Sequence, residues 1–246
     1  MASKLLERLR TIWFWAGFAP LTTFFTLVSM IQYRIGKETL ASSSAKRWSR
    51  WLLWLAGARI RVDLSALNPE QNYVFMPNHL SQMDIFSLYS ALRQWRVAFV
   101  AKESLFKIPV LGHGMRRTGN LPIDRDNPRK AMRAIAFAQQ RVQEGWSPII
   151  FPEGTRSRDY SKLQEFQIGG MVLALKCGVP VAPVIIQGSE RILPKGSYRF
   201  RGGKTVIRIK ALPPVDVSRY DLKDREQLRD DMYQIMNKAF LETKHG

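Results

Sequence analysis

Residues 127–151 read NPRKAMRAIAFAQQRVQEGWSPIIF. Asn127 can accept a first-turn N–H, Pro128 suits the first helical turn, and Ala131, Ala134, Ile135, Ala138 and Val142 recur at helical spacing until Gly145 can end the run. Immediately beyond, Pro148 to Phe151 is a short apolar run bounded by Pro152, the pattern of a strand. The same alternation extends in both directions. Strands are predicted at Tyr73–Met76, Val97–Ala101, Val181–Ile186 and Thr205–Lys210. Helices are predicted near Gln164–Cys177, stopped by Gly178 and Pro180, and near Arg225–Glu242, where Leu228, Met232, Ile235, Met236 and Phe240 share a face. This order predicts a layered α/β domain over residues 61–246, with a largely parallel or mixed sheet flanked by helices.

A different texture precedes it. Between Arg10 and Arg34 lie 23 residues without a formal charge, where about 20 apolar residues suffice to cross a bilayer core as a helix. Pro20 interrupts the stretch behind Gly17, so a broken or re-entrant helix pair is as compatible as a span. Lys4, Arg8 and Arg10 precede it and Arg34, Lys37, Lys46, Arg47 and Arg50 follow, so the excess of cytoplasmic Lys and Arg gives no orientation, whereas a hairpin on one face satisfies both flanks. A signal peptide and a buried core helix are the weaker readings, the former because the apolar stretch is long and no small-residue cleavage site follows closely. Residues 46–60 combine Trp48, Trp51 and Trp54 with Lys46, Arg47, Arg50 and Arg59, which reads as an interfacial helix, or alternatively as a core helix with its Trp rings turned inward. Residues 1–60 are therefore expected to be membrane-anchoring helices.

The full chain has 246 residues, 38 Lys plus Arg, 20 Asp plus Glu and a formal net charge of +18. Its surface seeks anions such as acidic lipid headgroups, phosphorylated substrates or nucleic acid. A hydrophobic content of 46% rules out a disordered basic tail. Cys177 is the single cysteine, which removes any intramolecular disulfide framework.

Three strand-to-helix junctions carry unusual chemistry. At the first, residues 77–84 (PNHLSQMD) place His79 five residues before Asp84. Five residues turn an ideal helix by about 500°, leaving the two side chains roughly 140° apart. They can meet only if His79 lies in the turn before a helix and Asp84 in its first turn, with Ser81 a candidate N-cap. That placement also allows Asp84 to be a simple capping carboxylate. At the second junction, residues 151–158 (FPEGTRSR) offer glycine backbone, a hydroxyl and a guanidinium, a set that suits phosphate but also an ordinary exposed turn. The third comprises residues 119–125 (GNLPIDR), preceded by 102–109 (KESLFKIP).

Together these residues resemble the glycerolipid acyltransferase family. Asn78-His79 with Asp84 is similar to its His-x4-Asp motif, and Phe151 to Ser157 to its Phe-Pro-Glu-Gly-Thr-Arg-Ser motif, in the family's order. The resemblance extends over Lys102–Pro109, Gly119–Arg125 and Val179–Val184, about residues 60–215, and is strongest to bacterial lysophosphatidate acyltransferases. Pro122 and Gln167-Ile168 depart from the pattern. The resemblance implies that His79 acts as general base and Asp84 orients it, without an acyl-enzyme. It implies that Arg156, with Gly154 and Thr155, holds an acceptor phosphate, that Lys102 and Arg125 add charge near it, and that Glu153 belongs to the same substrate-binding loop and organises it. The implied donor is acyl-coenzyme A or acyl-carrier protein, the acceptor a lysophospholipid, and the setting an anionic membrane surface on the cytoplasmic face of a bacterial inner membrane. No metal and no resident cofactor are implied. A nucleic-acid-binding reading leaves the uncharged stretch unexplained, and an adaptor without catalysis leaves His79 and Asp84 unexplained. The serious alternative is an acyltransferase acting on glycerol 3-phosphate or on a lyso-aminolipid such as lyso-ornithine lipid.

Overall fold

The computed structural model describes residues 2–124, 127–201 and 205–244. Helix α1, Ala2–Arg34, runs 33 residues and passes Pro20 without a break. Beyond Pro20, Thr22 and Thr23 donate their hydroxyls to the carbonyls of Phe18 (2.6 Å) and Ala19 (3.0 Å). After a short turn, α2 (Glu38–Leu55) returns along α1, so the N-terminal region is a helical hairpin.

The two sides of α1 differ. Leu5, Leu9, Ile12, Phe24, Leu27 and Ile31 are exposed along one side. On the other, Phe14 is buried against Phe200 with ring centroids 4.1 Å apart, and near the far end Arg117 lies over the Tyr33 ring at 4.4 Å. Helix α1 is thus packed on the α/β domain in its first half and near its C-terminal end. The three Trp residues of α2 also divide. Trp48 turns inward, edge-on to Phe86 and donating to Thr22 Oγ1 at 3.1 Å, while Trp51 and Trp54 are exposed. The inward reading therefore holds for Trp48, and Trp51 and Trp54 are left on the surface.

Among the described residues the sheet has seven strands: β1 (Ala58–Asp63), β2 (Val74–Pro77), β3 (Arg96–Lys102), β4 (Leu121–Ile123), β5 (Trp146–Ile149), β6 (Val181–Gln187) and β7 (Thr205–Ala211). Their order is β1-β7-β6-β2-β5-β3-β4, with every neighbouring pair parallel except β6 and β7. The sheet is mixed. Residues 58–60, read with the preceding helix, instead open β1, an edge strand with no fully buried residue. Strand β4 is only three residues long and carries Pro122 exposed at the other edge, where a missing N–H costs no ladder bond.

Helices α3 (Met83–Ala91), α4 (Leu111–Arg117), α5 (Pro128–Gln143), α6 (Ile168–Cys177) and α7 (Arg225–Lys244) complete the layers. The hairpin and α3 bury Phe75, Phe99, Ile149 and Ile207 on one sheet face, and α5 to α7 bury Val74, Met76, Ala98 and Ile185 on the other. With both faces covered, β2 is buried at every position. Asn127 caps α5 by accepting Lys130 N–H at 3.1 Å, and α6 stops at Gly178 with φ 66°. Helix α6 begins at Ile168 rather than near Gln164 because the intervening residues bond to the loop after β5, as described below.

Candidate functional site

Strand β2 ends at the centre of the sheet, where residues leaving the strand end can converge on a ligand. Asn78 extends the ladder with its side chain: Oδ1 accepts Ile186 N–H at 2.7 Å and Nδ2 donates to Ile186 O at 3.0 Å. This side chain stands in for a strand partner where the strand stops, and it fixes the residue before His79.

His79 lies in the turn before α3 and Asp84 in the first turn of that helix. His79 Nδ1 is 2.8 Å from Asp84 Oδ2, which also accepts the N–H groups of Leu80 (2.7 Å) and Ser81 (2.8 Å). Asp84 is therefore the partner of His79 and, rather than capping α3 itself, ties down the turn that precedes it. The carboxylate can only accept, so Nδ1 carries the proton and Nε2 presents its lone pair. Ser81 is not the N-cap, a place taken by Gln82. Its hydroxyl accepts Met83 N–H at 3.1 Å and donates to Leu193 O at 2.6 Å.

The loop after β5 grips the same histidine from the other side. His79 N–H donates to Glu153 Oε1 at 2.7 Å, Ser157 N–H donates to His79 O at 2.7 Å, and the imidazole stacks on Phe151 at 3.8 Å and 16°. Glu153 is buried, and its second oxygen accepts the backbone N–H (3.1 Å) and side-chain amide (2.9 Å) of Gln164. Gln167 N–H adds a bond to Pro152 O at 2.8 Å. Burial pushes the Glu153 carboxyl above the usual range, against the donors that favour its charge. Glu153 thus clasps two loops that lie far apart in sequence.

The same loop presents Arg156, half-buried and, among the described residues, without a carboxylate partner. Gly154 turns the chain at φ 73°, a conformation that favours glycine, and Thr155 is exposed. Lys102 is exposed at the end of β3, two strands from β2, or about 10 Å by strand spacing. It too has no acidic partner among the described residues, because Lys130 takes the neighbouring Glu103 (3.0 Å) and Asp124 (3.1 Å). Arg125 lies outside the described residues. The structure thus brings His79, Asp84 and Glu153 into contact and places Arg156 on the loop that touches them. Two contributors escaped the sequence reading, Asn78 and Phe151. Both stand inside quoted motifs, and an Asn at the last rung of a strand is the signal that could have marked the first.

A cavity of about 130 Å³ opens beside Gln82. Its walls are mainly apolar and come from the hairpin (Phe18, Phe25, Trp48), α3 (Phe86) and α4 (Met115). Among the described residues no three His, Cys, Asp or Glu side chains group to hold a metal.

The acyltransferase family model matches residues 59–187, more than half of the chain. The chain belongs to the acyltransferase family. This acyltransferase is 38% identical over 164 residues to a chloroplastic 1-acyl-sn-glycerol-3-phosphate acyltransferase of Brassica napus, covering 67% of this chain and 46% of that protein. It is 32% identical over 176 residues to the 1-acyl-sn-glycerol-3-phosphate acyltransferase of Escherichia coli K12, covering 70% of this chain and 68% of that one. The chain spans less than half the length of the Brassica relative. The crystal structure of the 1-acyl-sn-glycerophosphate acyltransferase PlsC from Thermotoga maritima superposes with a TM-score of 0.83 at 26% identity, over 98% of each chain.

Proposed function

We propose that the protein transfers an acyl chain from a thioester of coenzyme A or acyl-carrier protein to the sn-2 hydroxyl of lysophosphatidate, giving phosphatidate. The observation that carries this reading is His79, held by Asp84 with Nε2 left open, beside the loop whose Arg156 has no carboxylate partner among the described residues. Nε2 takes the proton of the acceptor hydroxyl as its oxygen attacks the thioester carbonyl. The tetrahedral intermediate collapses, the carbon–sulfur bond breaks, and the imidazolium returns its proton to the departing thiolate. Asp84 holds the tautomer and stabilises the imidazolium. Neither a resident cofactor nor a metal is needed.

Arg156 can grip a phosphate with two parallel N–H bonds, with Gly154 and Thr155 beside it, and Lys102 and Arg125 add positive charge. Glu153 serves as the clasp of this loop rather than as a phosphate ligand, since its oxygens already accept three donors. The cavity beside Gln82 would hold acyl chain in apolar surroundings. The exposed side of α1, with Trp51 and Trp54 of α2, would enter one leaflet of an anionic membrane on its cytoplasmic face. A spanning α1 does not suit the packing, because Phe14, in its first half, and Tyr33, near its end, both rest on the α/β domain.

The test is an acyl-transfer assay with purified protein that crosses lysophosphatidate, glycerol 3-phosphate and lyso-ornithine lipid against both donors. Lysophosphatidate should give the highest kcat/KM. A preference for either other acceptor would replace this reading with the corresponding acyltransferase.

A further inference from the structure

The segment between β3 and α4 exposes apolar side chains that nothing above accounts for. Lys102 is followed by the 3-10 turn Glu103–Lys107 and by Ile108-Pro109-Val110, after which Leu111 opens α4. The turn buries Phe106, and Gly112 lies so close to it that a Cβ there would clash with the Phe106 carbonyl. With that side taken, Leu105, Ile108 and Val110 are left 36%, 43% and 38% exposed. The backbone holds them in place: Ile108 N–H donates to Leu105 O at 3.3 Å, Gly112 N–H to Ile108 O at 2.8 Å and Gly114 N–H to Val110 O at 3.0 Å. The three form a fixed apolar tip.

Among the described residues Val110 is the only one besides glycines with positive φ, at 65° with ψ −62°. Leu111 N–H closes the turn onto Pro109 O at 2.7 Å, giving a γ-turn of the strained hand, and a β-branched side chain suits that backbone poorly. Glycine would relieve the strain, and packing within the chain does not repay it, because Val110 stays exposed. A strained backbone kept under an exposed apolar side chain points to a contact made outside the chain. The surroundings say of what kind. Residues 104–118 contain no Asp or Glu, whereas Lys107, Arg116 and Arg117 among them are exposed. Arg116 lies over the Phe106 ring at 5.6 Å and Arg117 over Tyr33 at 4.4 Å, so two of these cations are held by aromatic faces. Helix α4 lies directly on α1, since a Cβ at Gly114 would meet Thr26 Oγ1 at 2.7 Å. Contacts advance in the same direction along both helices, Gly114 at Thr26 and Arg117 at Tyr33, which sets the tip before α4 beside the middle of α1, near exposed Phe24 and Leu27.

We propose that this tip is a membrane contact made by the α/β domain itself: Leu105, Ile108 and Val110 enter the edge of the hydrocarbon layer of an anionic bilayer, while Lys107, Arg116 and Arg117 meet its headgroups. The inference rests on the reading in which the exposed side of α1 enters one leaflet, and it deepens that reading. Apolar insertion and charge together hold a surface on a bilayer more firmly than either does alone. The hairpin by itself leaves the α/β domain free to roll about α1, and a second contact beside the middle of α1 fixes the roll. Leu105 also lines the apolar cavity that lies between α1 and α4, so the same contact brings that cavity against the lipid from which a lysophospholipid acceptor comes.

The experiment uses the full chain with Cys177→Ser, so that one introduced cysteine carries a nitrobenzoxadiazole dye: Ile108→Cys at the tip, Leu27→Cys on the exposed side of α1, or Ala136→Cys on α5 at the other sheet face. The probes are vesicles of phosphatidylcholine and phosphatidylglycerol, with and without bromine on the acyl chains. Emission from Ile108 and from Leu27 should shift to the blue and be quenched by the brominated lipid, and emission from Ala136 should do neither. Quenching at Leu27 without quenching at Ile108 overturns the proposal. No quenching at either position removes the membrane reading on which it rests, so the two failures are distinguishable. A blue shift at Ile108 that grows with protein concentration in the absence of vesicles would mean that a second copy covers the tip, and would overturn it too. Val110→Gly separates the side chain from the fold, because it relieves the strained backbone and its melting temperature should not fall. Combined with Ile108→Ser, it should lower the vesicle partition coefficient roughly tenfold. Transfer to lysophosphatidate embedded in vesicles should fall with it, while transfer to a short-chain, freely dissolved lysophosphatidate stays within about twofold. An unchanged partition coefficient, or equal losses on the two acceptors, would overturn the proposal.

Discussion

The corner around His79 and the rim that carries Arg156 and Lys102 meet on one loop, yet they are built in opposite ways. At the corner, the N–H, the carbonyl and Nδ1 of His79 are each bonded to a different partner. At the rim, two cations stand without acidic partners among the described residues, although Lys130 shows that the same surface pairs its charges readily. With its N–H, carbonyl and Nδ1 all bonded, His79 is held in one geometry and has only Nε2 left for chemistry. An unpaired, half-buried guanidinium is costly to keep unless a ligand supplies the negative charge. Changes at the corner should therefore act on kcat, and changes at the rim on acceptor KM.

The sharpest break of this contrast is His79→Ala. Turnover should fall by roughly 10²- to 10⁴-fold, the usual contribution of a positioned general base, with acceptor KM little changed. The stacking on Phe151, worth about 1 kcal/mol, and the Nδ1 bond to buried Asp84, worth about 1–3 kcal/mol, are lost as well, so the melting temperature should also drop, by roughly 5–15 °C, without unfolding the protein. Near-normal turnover in a folded His79→Ala protein would end the mechanism.

Glu153→Gln asks whether the clasp belongs to the corner or to the rim. Both carboxylate oxygens accept from N–H donors, so an amide must turn its own NH₂ group toward one of them. The conflict should cost about 1–3 kcal/mol of stability and roughly tenfold in kcat, with little effect on acceptor KM. The pH dependence has a definite sign. Because burial raises Glu153, the folded state holds its proton more tightly than the unfolded chain. Its stabilising contribution is then full below the unfolded pKa and lost as pH rises through the folded one. The gap in melting temperature between the unmodified protein and Glu153→Gln should widen as pH is lowered. A gap that instead narrows toward acid, together with a raised acceptor KM, would place Glu153 among the phosphate ligands.

This clasp also marks where the sequence stops being legible. The junction after β2 could be read locally, since the geometry of five residues already required His79 before the helix and Asp84 within its first turn. Helix α5 was legible for the same reason, its cap, stripe and terminator being contiguous. Strand β1 was not, because its apolar and charged residues continue the texture of the tryptophan-rich helix, and only pairing with β7 more than 140 residues away makes it a strand. The bonds from Glu153 to His79, 74 residues apart, and from Asn78 to Ile186, 108 apart, are also long-range in sequence, and no local pattern predicts which loop a carboxylate or an amide will tie down. The division of α1 into a packed and an exposed side likewise depends on Phe200 and α4, which composition cannot place.

Arg156→Lys tests the rim. Lysine keeps the charge and loses the planar fork, so a phosphate oxygen is left unbonded at a half-buried site at a cost of about 1–3 kcal/mol. This corresponds to roughly a 5- to 150-fold loss of kcat/KM for lysophosphatidate, expressed mainly in KM, with the donor KM nearly unchanged. An acceptor without phosphate should be far less affected. Equal losses on both acceptors would remove Arg156 from phosphate binding and blur the line between rim and corner.

The smallest expected effect is at Cys177, and it shows whether the chemistry is confined to the corner at all. The thiol ends α6, half-buried on the sheet face opposite His79. Burial pushes it up to about 12, so almost no thiolate exists at neutral pH and a covalent acyl intermediate has no nucleophile there. The proposed direct transfer from donor to acceptor needs none, since in it His79 would activate the acceptor oxygen itself. Cys177→Ser should keep kcat within about twofold. Intact-mass measurement of the unmodified protein, incubated with donor and no acceptor, should show no added acyl group. A stoichiometric acyl adduct that disappears in Cys177→Ser would move the nucleophile away from the corner and replace the direct mechanism with a two-step one.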